Sequence, residues 1–107
     1  RDGPTLDVHN LPVPPGLWAT VVYPHVEVLT KNARAVLKPD VALPTYIRQS
    51  ANVAAFVTAL FKADYGLLGR CLRDDVVEPQ RAVLIPGFYD VKEAAMNYGA
   101  LGCSISG

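Results

Sequence analysis

Apolar positions change rhythm along this chain, and each change predicts an element. From Leu17 to Tyr23 they run almost unbroken as Leu-Trp-Ala-Thr-Val-Val-Tyr between Gly16 and Pro24, a β-branched and aromatic stretch that predicts a short buried strand. Val26 to Leu29 extends it briefly. Thr30 has the side chain of an N-cap, so Lys31 to Leu37 predicts a turn or two of helix, stopped by Pro39. After Pro44 the spacing lengthens. Ile47, Val53, Ala54, Phe56, Val57, Leu60 and Phe61 largely share one helical face, which predicts the main core helix over 45–61. A further helix over 65–72 turns Leu67, Leu68, Cys71 and Leu72 inward, until Asp74, Asp75 and Pro79 break the pattern and open a long loop. Pro86 predicts the first residue of a last helix, with Val91, Ala94, Ala95 and Tyr98 as its apolar stripe and Gly99 as its end. Leu101 to Ile105 reads as a short strand.

The order strand, helices, strand, without internal repeats, places the chain in the α+β class. Residues 1–16 hold four of the nine prolines with Gly3 and Gly16, an irregular opening ahead of a body spanning 17–107. Trp18 and Tyr23 are expected in the core of that body. A chain of 107 residues has room for one domain, burying roughly 65% of its unfolded surface. Ten basic residues balance ten acidic ones, which argues against an electrostatic nucleic-acid or anionic-membrane partner. The longest apolar run, Val53 to Phe61, falls far short of the roughly 20 residues of a membrane span. Cys71 and Cys103 form no CxxC and have no histidine cluster nearby, which disfavours a disulfide framework or zinc and suits a reducing, cytosolic compartment. His9 and His25 read as surface or packing residues, and no metal ligand is assigned.

Two features carry candidate chemistry. The closing run Gly99-Ala-Leu-Gly-Cys-Ser-Ile-Ser-Gly107 can form a concave nest of backbone donors for an anion, with serine hydroxyls adding more. A motif cut off at its own end, and an opening Arg1 in place of Met, suggest a piece of a longer protein. The second feature is a pair of arginines. Arg34 follows Thr30 by four residues, on one face near a helix N-terminus, where a cation is unfavourable unless an anion joins it. Arg81 closes Glu78-Pro79-Gln80-Arg81, a proline-stiffened loop able to aim a long side chain. On their own both are ordinary solvated cations, Arg81 pairing with Glu78 or Asp74, and such pairs are worth little.

Taken together, Tyr23 to Arg34 with its Thr-x-x-Ala-Arg, Asp74 to Arg81 with its Glu-Pro-x-Arg, Leu84-Ile-Pro-Gly-Phe88 and the terminal Gly-Cys-Ser-Ile-Ser-Gly resemble the GHMP kinase superfamily, from about Leu11 to the end. The resemblance implies a partial ferredoxin-like C-terminal domain, helix-rich with an incomplete sheet. It further implies ATP- and Mg²⁺-dependent phosphorylation of the side-chain hydroxyl of L-homoserine, a cytoplasmic step toward threonine. Arg34 and Arg81 would line the amino-acid pocket, where a planar guanidinium grips a carboxylate through two parallel bonds, with Thr30 beside them. Gly102, Ser104, Ser106 and Gly107 would lie near the phosphates, as the start of the superfamily's third motif. The superfamily's Pro-x-x-x-Gly-Leu-Gly-Ser-Ser-Ala loop has no counterpart in this sequence. ATP and Mg²⁺ binding is therefore expected mainly outside it, and no catalytic residue is assigned. A non-catalytic amino-acid-binding or regulatory module is the alternative from another class, a bare interaction domain a third, and self-association is compatible with each.

Overall fold

In the computed structural model, residues 5–106 are described, and among them every regular element is a helix. The elements are α1 (Thr30–Ala35), α2 (Leu43–Lys62), α3 (Tyr65–Cys71), α4 (Val77–Arg81), a 3-10 turn at Ala82–Leu84, and α5 (Phe88–Asn97).

The core is built by α2 and α3. Ala59, Leu60 and Leu68 are buried at its centre, with Leu17, Phe56, Leu67, Leu72 and Leu101 packed around them. The two helices form a tight hairpin because Ala63 takes a left-handed conformation (φ 49°) and Asp64 then restarts the chain as an N-cap, its side chain accepting from the Leu67 N–H at 3.0 Å. A left-handed alanine costs roughly 1–2 kcal/mol, so the packing of α3 against α2 holds it there. The opening segment docks on this hairpin through Leu17, the buried Pro14, and a hydrogen bond from the Tyr65 hydroxyl to the Pro15 carbonyl.

Several elements differ from those the sequence predicts. Leu17 to Tyr23 and Leu101 to Ile105 form no strand, and Trp18 and Tyr23 lie 89% and 86% exposed, far from any core. A strand is satisfied only by a neighbour's backbone groups, and the described residues supply none beside either segment. The predicted loop after Asp74 contains α4. Pro79 is its third residue, where the absent N–H would have had no helical partner. Thr30 is the first residue of α1 and not its cap: Leu29 holds that position, without a side-chain bond. Pro86 precedes α5 in a turn with Gly87, whose φ of 79° suits glycine and ends the extended path before Phe88. Ile47, Val53 and Phe61 on α2 are exposed, because its apolar belt is wider than the face α3 covers. On α5 the inward residues are Phe88, Lys92 and Ala95, while Val91, Ala94 and Tyr98 face out.

Candidate functional site

Two short helices distant in sequence meet through their side chains. Arg81, at the end of α4, donates from Nε to the Ala33 carbonyl of α1 at 2.8 Å. One residue earlier, Gln80 accepts from the Lys38 backbone N–H at 2.7 Å and donates to the Val76 carbonyl at 2.7 Å. Arg34 therefore neighbours the residue that Arg81 grips. It is exposed, as is Thr30 at the start of α1.

Neither arginine has a carboxylate within ion-pair distance among the described residues. The pairing of Arg81 with Glu78 or Asp74 expected from proximity does not form, since both acids are otherwise engaged. Asp74 holds the start of α4, Oδ1 accepting from the Val76 and Val77 N–H groups at 2.9 Å each and Oδ2 from Glu78 at 3.1 Å, while Gln49 donates to Oδ1 at 3.0 Å. Burial pushes the Asp74 carboxyl up, but bonds from Val76, Val77, Gln49 and Glu78 together outweigh it and hold the group below the usual aspartate value. Glu78 turns inward and meets Lys92 of α5 at 2.6 Å. With Nε bound to α1, the terminal Nη groups of Arg81 have no protein partner among the described residues, so they can form a two-bond grip on a planar anion.

Glu78 is the residue that sequence reasoning missed. It is 4% exposed, and its Oε1 has no hydrogen-bond partner, a condition that costs about 1–3 kcal/mol or more for a charged group. No local signal marks it, since Glu78 stands in the polar stretch Asp74-Asp75-Val-Val-Glu-Pro-Gln-Arg81 like any surface acid.

The terminal run shows a packing role and an open face. A Cβ on Gly102 would lie 2.6 Å from the Leu72 Cβ, so glycine lets this backbone close against the end of α3. Gly99, at φ 97°, caps α5, and the Ala100 N–H bonds the Ala95 carbonyl at 3.0 Å. Ser104 and Ser106 are exposed, and Gly107 lies outside the described residues. A groove of about 360 Å³ runs beside α4 and α5 between Pro79, Ile85 and Phe88, and another of about 230 Å³ lies between Arg48, Arg70 and Arg73. Arg34 and Arg81 line neither. No helix of the described residues is long and apolar enough to cross a membrane, and no group of three or more His, Cys, Asp or Glu side chains among them is placed to hold a metal.

Residues 56–107 match the family described as GHMP kinases C terminal. Most of the chain aligns with homoserine kinases. It is 53% identical to that of Chloroherpeton thalassium over 102 residues, covering 95% of this chain and 32% of the relative, and 42% identical to that of Arabidopsis thaliana over 92 residues, covering 85% and 25%. A crystal structure of homoserine kinase from Cytophaga hutchinsonii superimposes with a TM-score of 0.92 at 54% identity, over 94% of this chain and 32% of that one. The chain thus spans about a third of the length of the relatives it matches.

Proposed function

We propose that these residues are the middle to C-terminal part of a homoserine kinase, the complete enzyme transferring the γ-phosphoryl group of ATP to the hydroxyl of L-homoserine in the cytoplasm, a step toward threonine. The observation that carries the reading is the α1–α4 junction, where Arg81 binds the carbonyl of Ala33, the residue before Arg34, and neither arginine has a carboxylate partner among the described residues, in a sequence about half identical to homoserine kinases. Such a pair is suited to the substrate's α-carboxylate. Two guanidinium groups repel by roughly 1 kcal/mol at 4 Å in water and several times more near a protein surface, and a bound carboxylate relieves this.

Phosphoryl transfer is catalysed chiefly by alignment and charge neutralisation, the latter supplied by ATP-bound Mg²⁺. In this reading the arginines fix the amino acid so that its hydroxyl faces the nucleotide, with Thr30 at the pocket edge. Gly102, Ser104, Ser106 and Gly107 approach the phosphates. ATP and Mg²⁺ are held mainly by residues outside this chain. The exposed apolar rows at 17–29 and the extended run at 101–106 are strands of a ferredoxin-like α+β sheet completed in the whole protein. Two free thiols, Cys71 buried and Cys103 half-buried, suit a reducing compartment.

In the complete enzyme, Arg34→Ala or Arg81→Ala should remove about 1.5–3 kcal/mol of charged hydrogen bonding, hence roughly ten- to a hundredfold in kcat/KM for homoserine, with the KM for ATP little changed. Coupled ADP-release kinetics measure both. A defect confined to ATP, or none at all, would overturn the pocket.

A further inference from the structure

We infer that Glu78, a buried carboxylate paired with the half-buried Lys92, is the positioning residue that sets where α4 presents Arg81. The inference rests on the pocket proposed above. A five-residue helix is not stable by itself, so its location must come from what grips it. Asp74 shapes the first turn and, bonded to Gln49 of α2, anchors the start of α4, but it lies three residues before Val77 and leaves the direction of the Arg81 end to the helix's own contacts. Beyond that anchor, the polar contacts that α4's own side chains make to other elements are those of Gln80 and Arg81 to the α1 region and that of Glu78 to α5.

Among these, the Glu78 contact is the one with no ordinary energetic reason to exist. A buried carboxylate with a single partner and an orphaned oxygen adds little stability over an apolar pair of similar size. What it adds is direction, because a charge in a dry interior accepts few alternative positions. Glu78 and Arg81 stand three residues apart, neighbours on the helix surface, so a shift of one is carried to the other. On the far side, α5 leads through Gly99 into the run that holds Gly102, Ser104 and Ser106. The Glu78–Lys92 pair therefore joins the helix that carries Arg81 to the helix that precedes the glycine- and serine-rich run.

The test uses the complete enzyme with Glu78→Gln, Lys92→Met, Lys92→Arg, Arg81→Ala and the Glu78→Gln/Arg81→Ala double variant. Glu78→Gln and Lys92→Met should each raise the KM for homoserine about tenfold while the KM for ATP stays within about twofold, and Lys92→Arg should retain most of the function. If Glu78 acts through Arg81, the double variant is no worse than Arg81→Ala alone. Multiplied defects, a rise in the KM for ATP, or loss of folding in both Glu78→Gln and Lys92→Met would show a general structural role and overturn the inference. Should Arg81→Ala leave the KM for homoserine unchanged, the pocket fails first. Should Arg81→Ala raise it while Glu78→Gln does not, only the positioning role fails.

Discussion

Residues 18–29 and residues 56–72 are comparably rich in apolar side chains, yet one stretch lies open and the other builds the core. Trp18, Val21, Val22 and Tyr23 are 63–89% exposed, whereas Ala59, Leu60 and Leu68 are 0–7% exposed. The difference lies in where each finds its hydrogen bonds. A helix satisfies its backbone within itself and then needs only one apolar neighbour, which α3 supplies to α2 across a two-residue link. An extended segment satisfies nothing by itself. Its burial depends on chain brought from elsewhere, and its apolar residues mark a surface that another part of the protein is suited to cover.

The largest effect should come from attacking the packed region. Leu68→Ala removes a fully buried side chain from the α2–α3 interface and should cost about 2–5 kcal/mol in a chemical or thermal melt of this chain. Trp18→Ala in the same chain should stay within about 0.5 kcal/mol, as for a surface substitution. A comparable loss for both would mean that the open stretch packs in solution. Next in size is Gly102→Ala, which drives a Cβ to 2.6 Å from the Leu72 Cβ and should cost about 1–3 kcal/mol by overpacking. A neutral melt would show that the terminal run can lift away from α3.

The smallest effect tests a polar contact at the edge of the packed region. Asp74→Ala should cost about 1 kcal/mol by uncapping α4. Because the folded carboxyl titrates below its unfolded value of about 3.9, its contribution is fully present above that pH and is lost as the pH falls through the lower folded value. Asp74→Asn should therefore flatten the acid limb of the stability curve below about pH 4 and leave neutral stability closer to that of the parent. An unchanged acid limb would mean that the carboxylate charge is not what holds the cap.

How much of this was legible in the sequence follows the same division. The helices over 45–61, 65–72 and the last one were readable because their periodicity is local, and so was the stop at Gly99. The strand pattern at 17–23 is also local, but a strand needs a partner, and among the described residues this segment pairs with none and lies open. Helix α4 was missed because Asp74-Asp75 and Pro79 read as breakers, although an aspartate three residues ahead of Val77 and a proline in the first turn also suit a helix start. At the site, the two arginines could be named from their motifs. The Ala33 carbonyl that anchors Arg81 and the turning inward of Glu78 could not, since both depend on how α1 and α5 pack beside α4.

The left-handed link at Ala63 also bears on the order of folding events. The central core residues Ala59, Leu60 and Leu68 lie within ten positions of one another, so the contacts joining them close a short loop and lose little chain entropy. Contacts of such low sequence separation form early, which makes the α2–α3 hairpin the expected folding nucleus and leaves the α1–α4 junction, joined across 48 residues, to assemble late. Substitutions at Leu60 should then slow refolding, whereas Arg81→Ala should chiefly speed unfolding. The reverse pattern in stopped-flow kinetics would place the nucleus elsewhere.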